Sequence, residues 1–151
     1  MHSLGYVHRD LKPDNVVLNI HPLEVILIDF NRSKLDITET VGHVYGTPGY
    51  MPERPDWRDG SKAWDVWAIA AMILECDMDI GVYEHLNSEE ESINAAKKHI
   101  YNKETCKEIK NIIKGTILSN KEYTMISLDE IKELLSHAKF RTYKQKPKKD
   151  K

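Results

Sequence analysis

The residues best suited to chemistry are concentrated in one short stretch, His8-Arg9-Asp10-Leu11-Lys12-Pro13-Asp14-Asn15. It offers a carboxylate, an ammonium group and a side-chain amide within eight residues. A further carboxylate, Asp29 in Asp29-Phe30, follows two short apolar runs, and Gly46-Thr47-Pro48-Gly49-Tyr50 follows that. Carboxylate and amide oxygens are the hard donors that magnesium prefers. A fixed ammonium group beside them could neutralise phosphate charge. Together these groups suit phosphoryl transfer, which asks a protein mainly to position reactants and balance charge. Taken singly, each has a plainer reading, since a lone Asp on a loop is usually a turn former or a helix cap.

The elements that must hold these residues can be read from the same sequence. Val16-Val17-Leu18 and Val25-Ile26-Leu27-Ile28 are β-branched runs separated by a short spacer containing Pro22. They predict a small antiparallel hairpin with Asn15 before it and Asp29 after it. Residues 31–50 carry no periodic apolar pattern, and a loop of that length is more often functional than idle. Lys62 to Cys76 is apolar on nearly every side, which predicts a helix through the centre of the domain. Three more helices are announced by capping-box spacing at Ser88 with Glu91, Thr105 with Glu108, and Ser127 with Glu130. In the last of them Leu128, Ile131, Leu134 and Leu135 share one face. The expected fold is mainly α with one small β-hairpin.

The chain has 151 residues, 40% hydrophobic and 30% charged, enough for one domain with a real core. Its formal charge of −2 conceals an asymmetry. Seven Lys or Arg and a single acid lie between Lys139 and Lys151, which leaves 15 basic and 23 acidic residues before them. We expect a domain over residues 1–140 and a basic disordered tail over 141–151. The tail reads as a solvated, solubilising segment rather than a nucleic-acid or acidic-membrane contact. Cys76 and Cys106 lack metal-ligand spacing and read as reduced core thiols. No apolar run approaches the ~20 residues of a membrane helix, and no signal peptide is visible. A cytoplasmic or nuclear setting is the expectation.

The order of these parts resembles the catalytic loop, metal-binding motif and activation segment of a eukaryotic protein kinase of the Ser/Thr type. The resemblance covers residues 4–140 and implies the helical C-terminal lobe of the kinase fold. It implies ATP and Mg2+ as cofactors and a protein as substrate. Asp10 would accept or orient the proton of the attacking hydroxyl. Lys12 would sit on the transferring phosphate, and its presence favours Ser/Thr over Tyr specificity. Asn15 and Asp29 would hold magnesium, and Thr47 would tie Asp10 to Lys12. His8 would pack beneath the metal-binding motif. Asp65 would accept backbone N–H bonds from the His-Arg-Asp turn, a role that would satisfy an otherwise costly buried charge. Arg9 would pair with a phosphorylated loop residue; Ser33, Thr38 and Thr40 are candidates, with His43 at the commonest acceptor position.

Several departures from the family pattern shape the expectations. The Gly-rich loop, strand lysine and helix glutamate that cover ATP in kinases are not in this sequence, so little activity is expected of the isolated chain. Only residues 1–6 remain of the helix leading into the catalytic loop. Its loss should open apolar surface along residues 64–75, to be covered by a partner or an upstream segment. Asn31 replaces a glycine and tolerates left-handed backbone. The arginine that would pair with Glu53 is replaced by Met125, and Ala70 replaces a further glycine. The leading reading is a Ser/Thr protein kinase lobe, from a truncated chain or a naturally short relative. The alternatives are a catalytically inactive kinase-like binding module and a small-molecule kinase.

Overall fold

A computed structural model describes residues 1–36, 46–53, 61–78, 88–119 and 125–140. Four short strands precede four helices among these residues. β1 (Tyr6–Val7) pairs antiparallel with β4 (Lys34–Leu35) and brackets the region that contains the hairpin. The hairpin joins β2 (Val16–Ile20) to β3 (Leu23–Leu27) with Val16 opposite Leu27 and Ile20 opposite Leu23. It is longer than the apolar runs alone predict, because Asn19 and Glu24 also pair across it. The tight turn at His21-Pro22 contains a cis peptide bond.

α1 (Lys62–Asp77) is the centre of the molecule. Trp64, Val66, Trp67, Ala68, Ala70, Ala71, Ile73 and Leu74 are all buried, so the helix is enclosed on most sides, as its uniformly apolar sequence requires. α2 (Glu89–Ile100), α3 (Lys107–Gly115) and α4 (Leu128–His137) complete the helical body. α3 packs against α1, α2 and α4. It buries Ile109, Ile112 and Ile113 fully, and Ile117 beyond its end adds to the same core. Fully burying such a side chain contributes roughly 1.5–3 kcal/mol. The mainly helical fold with a small hairpin is the one expected.

The helix starts follow the expected caps at two of three places. Ser88 Oγ accepts the Glu91 N–H, and three acids in the first turn with Lys97, Lys98 and His99 in the last turn complement the helix dipole. Ser127 and Glu130 form the full reciprocal box. The third differs. Cys106, not Thr105, stands at the N-cap position of α3, and its side chain makes no capping bond. Thr105 is drawn into the interior, where its hydroxyl is hydrogen-bonded to His99 Nε2 at 3.0 Å, and His99 in turn meets Asp77 at 2.8 Å. A buried hydroxyl satisfied by a buried imidazole wins over a solvent-exposed cap.

Three more expectations change. Cys76 is exposed on the part of α1 that lines a cleft beside the hairpin, and Cys106 is half-buried at the edge of the core, so neither is a fully buried thiol. Burial of its sulfur, with Glu75 and Asp77 beside it, still pushes the Cys76 thiol up from its ordinary pKa. Asn31 is not left-handed; the positive φ falls on Asp29 (58°) and Arg9 (72°). Apolar side chains are most exposed on the hairpin, while along residues 64–75 the openings are clefts that reach Ile69 and Met72. Leu18, Ile20, Leu23 and Val25 are each at least 60% exposed, whereas Trp64 and Trp67 are enclosed. Between hairpin and α1 runs a cleft of about 490 Å³ lined by Pro13, Val16, Leu18, Met72, Glu75, Cys76 and Met78.

Candidate active site

The His8–Asn15 loop leaves β1 and is pinned at once by α1. Asp65, itself buried, accepts the backbone N–H of His8 at 2.8 Å and of Arg9 at 2.9 Å. Its Oδ2 also meets His2 Nε2 at 2.7 Å. Arg9 is buried and adopts left-handed backbone at φ 72°, a conformation that costs a non-glycine residue roughly 1–2 kcal/mol. The two N–H bonds to Asp65 hold it there and turn the chain so that Asp10 follows.

Asp10 is the hub of the next layer. Thr47 Oγ1 donates to Asp10 Oδ1 at 2.7 Å, and Lys12 Nζ donates to Thr47 Oγ1 at 2.9 Å. Lys12 Nζ and Arg32 Nη1 stand 3.7 and 3.6 Å from Asp10 Oδ2. Asn15 Nδ2 donates to the Asp10 carbonyl at 2.8 Å. Pro13–Asn15 forms a single 3₁₀ turn with proline at its first position, where the missing N–H costs nothing. The buried carboxylate of Asp10 is thus bracketed by a hydroxyl and two cations.

Asp29 reaches the same place by way of the hairpin. The Ile28 N–H donates to the Asn15 carbonyl at 3.0 Å, extending the ladder one step past Leu27. An antiparallel pair places the residue before its first strand beside the residue after its second. Asn15 and Asp29 therefore share the open end of the hairpin, although 13 residues lie between them in sequence. Asp29 is exposed, and its Oδ1 accepts the Asn31 N–H at 3.4 Å. His8 lies under this end, with its ring 5.1 Å from that of Phe30 and its Nε2 3.2 Å from the Ile28 carbonyl. Ser33 donates its hydroxyl to the His8 carbonyl at 3.4 Å. Thr38, Thr40 and His43 lie outside the described residues.

Gly46 to Glu53 closes the site from the other side. Pro48 and Gly49 occupy the middle of a turn in which the Tyr50 N–H donates to the Thr47 carbonyl at 3.0 Å. Gly49 has φ 84°, the value a type II turn requires at this position. Tyr50 Oη donates to Glu75 Oε2 at 2.8 Å. Burial first, and then this bond to a carboxylate, push the phenol well above its usual range. Glu53 lies against the start of α2, where its carboxylate accepts the Glu89 N–H and its own N–H donates to Glu89. Met125, which stands in the expected arginine position, packs against the apolar core.

Asp10, Lys12, Asn15 and Thr47 are thus assembled within hydrogen-bond reach, with Asp29 at the hairpin end and His8, Arg9 and Asp65 beneath. Glu53 is apart from them, against α2. Sequence reasoning missed Arg32, His2, Glu75, Glu89 and Ser92. Their spacing from the loop follows no local period, so only the folded chain brings them in.

A mainly helical body whose buried loop and open hairpin end present Asp, Lys, Asn and Asp together has the form of a kinase helical lobe. The comparisons agree. The family model described as protein kinase domain matches residues 1–142, and the chain belongs to that family. It is similar to calcium/calmodulin-dependent protein kinase type 1B of Homo sapiens, 44% identical over 82 residues that cover 50% of this chain and 24% of that protein. Serine/threonine-protein kinase Sgk1 of Rattus norvegicus is 27% identical over 143 residues, covering 93% of this chain and 33% of that protein. Mitogen-activated protein kinase kinase 7 of Arabidopsis thaliana is 43% identical over 83 residues, 50% of this chain and 26% of that protein. The chain spans about a quarter to a third of the length of these relatives.

Proposed function

We propose that this chain is the catalytic-loop lobe of a Ser/Thr protein kinase, moving the γ-phosphate of ATP to hydroxyls of a protein substrate. The observation that carries the reading is the bond chain Lys12 to Thr47 to Asp10, closed by Asn15 on the Asp10 carbonyl. Asp10 holds its side-chain oxygens oriented for the proton of an incoming hydroxyl. Lys12 is held by Thr47 and supplies positive charge to the phosphate under transfer. Arg32 adds a second cation on the same carboxylate oxygen.

The donor set fits magnesium. Asn15 uses its amide nitrogen on Asp10, which leaves the amide oxygen, and Asp29 supplies a carboxylate at the same hairpin end. No cluster of three or more His, Cys, Asp or Glu among the described residues could cage a metal. Magnesium does not need one, since it is commonly bound by one or two protein oxygens with phosphates and waters completing the shell. When bound, it would neutralise charge on the phosphate oxygens. His8 and Phe30 keep the Asp29 turn seated on the loop.

Among the described residues no helix is long and apolar enough to cross a membrane. Cytoplasm or nucleus is the proposed compartment, where the unpaired Cys76 and Cys106 would stay reduced. A non-catalytic binding module is the second reading. The exposed hairpin face of Leu18, Ile20, Leu23 and Val25, which a partner would cover, favours it.

A thermal-shift titration of the full chain with Mg-ATP separates the two. With ligand at ten times a millimolar Kd, binding stabilises by about 1.4 kcal/mol. That raises the melting temperature by roughly 3–6 °C for a domain of this size. The shift should require magnesium and vanish in Asp29→Ala. No shift at millimolar nucleotide, up to about 10 mM, would move the assignment to the binding module.

A further inference from the structure

The Gly46–Glu53 segment is fastened to α2 by bonds that neither the loop motifs nor the family comparison point to. Ser92, almost wholly buried on α2, directs its hydroxyl to the Gly49 carbonyl at 3.0 Å, the shorter of two contacts, with the Ser88 carbonyl of its own helix at 3.2 Å. Glu89, at the first position of α2 and 9% exposed, accepts the Glu53 N–H at 2.9 Å. In return the Glu53 carboxylate accepts the Glu89 N–H at 3.4 Å. That N–H is one of the four that a helix start leaves without an internal partner. Two carboxylates would repel each other here, but each is turned onto a backbone N–H, and the one that Glu53 meets lies at the positive end of the α2 dipole.

These bonds divide the segment between two helices. Thr47 is held by Asp10 and Lys12, and Tyr50 by Glu75 of α1. Gly49 and Glu53 are held by α2. Where the sequence lacks an arginine for Glu53, the start of α2 occupies its carboxylate. We propose that Ser92 and Glu89 are positioning residues of the phosphoryl-transfer site. Through them α2, rather than an ion pair with the arginine that Met125 replaces, sets the segment against which a protein substrate would lie. The two ties are unequal in kind. Ser92 fixes a buried carbonyl next to the left-handed Gly49 and so governs the turn, while Glu89 fixes the segment's far end. This deepens the kinase reading and rests on it for the role of the segment, but its test needs no nucleotide.

Amide hydrogen exchange on the full chain gives that test, comparing wild type with Ser92→Ala, Glu89→Ala and Glu89→Gln. Losing one such bond should speed exchange of the tied amides about threefold to tenfold. The expected result is faster exchange at Tyr50 in Ser92→Ala and at Glu53 in Glu89→Ala, with Arg9, Asn15, Trp67 and Leu74 unchanged. Glu89→Gln keeps a carbonyl acceptor for the Glu53 N–H and should retain most of the protection. Three results would overturn the proposal. One is unchanged exchange over 46–53 in both alanine variants. Another is acceleration that includes Trp67 and Leu74, which marks general destabilisation. The third is a Glu89→Gln variant as fast as Glu89→Ala. Absence of Mg-ATP binding, by contrast, would bear on the kinase reading and leave the geometry of this clasp untouched.

Discussion

Asp65 offers the sharpest quantitative test of how α1 builds the loop. It is 2% exposed and accepts the N–H groups of His8 and Arg9, both of which are buried with it. Asp65→Ala removes both acceptors, and the backbone cannot find new ones without unpacking the loop. An unsatisfied buried donor costs about 1–3 kcal/mol, so two cost about 2–6 kcal/mol. Against a total stability of about 5–15 kcal/mol, that is a large fraction. With a urea m-value of about 2 kcal/mol/M, the midpoint should fall by about 1–3 M. Asp65→Asn retains one oxygen and presents an NH2 to the other N–H, so it should lose about half as much. The His2 ring, which is partly exposed, can exchange Asp65 for water and contributes less. Urea unfolding followed by tryptophan fluorescence suits the measurement, because Trp64 and Trp67 flank Asp65 on α1. Equal losses in the Ala and Asn variants would refute the reasoning, because counting acceptor oxygens would then predict nothing. An unchanged midpoint in Asp65→Ala would refute it outright.

Three further outcomes follow from other parts of the molecule. A Cβ added at Gly115 would stand 2.6 Å from Ile126 Cγ2, so Gly115→Ala should lower stability by about 1–3 kcal/mol despite better helix propensity; a stabilised variant in urea unfolding would contradict this. The folded-state pKa of Tyr50 lies above its unfolded value, so its stabilising contribution is whole below pH ~10 and is lost as pH rises beyond that. Tyr50→Phe should flatten the alkaline limb of the melting profile, and a superimposable limb would count against the buried bond to Glu75. The Glu130 carboxyl is held below its usual pKa by the Ser127 backbone N–H and then by the Ser127 side chain, so the capping box acts above the ordinary carboxylate range and fails as pH falls through it. Glu130→Ala should lower stability at neutral pH and much less at pH ~3, and an equal cost at both would show that the box does not depend on that charge.

Local rules read much of the fold correctly, and each failure has a tertiary cause. The enclosed helix was legible because α1 shows no polar face. The hairpin was legible because two β-branched runs flank a proline turn. The cap at Ser127 follows from a three-residue spacing that needs no other part of the chain. Thr105 misled because the same spacing was present, but a buried partner, His99, competed for its hydroxyl. Cys76 misled because an apolar neighbourhood in sequence does not say which side of a helix faces its neighbours. Arg32, Glu89 and Ser92 carried no motif, since what they do depends on contacts with Asp10, Glu53 and Gly49 that are distant in sequence.

By itself the sequence determined the chemical types available, the class of fold and the family, because those depend on residue identity, periodicity and order along the chain. It supplied Asp10, Lys12 and Asn15 within one loop and Asp29 and Thr47 elsewhere. Tertiary structure decided how they meet. Antiparallel pairing brought Asn15 and Asp29 to one end, a buried carboxylate on α1 set the backbone before Asp10, and Thr47 bridged Asp10 to Lys12. It also gave Glu53 a helix start as its partner. The physical reason is common to all of these. A buried polar group must be satisfied by whatever the fold places beside it, and sequence order alone does not say what that will be.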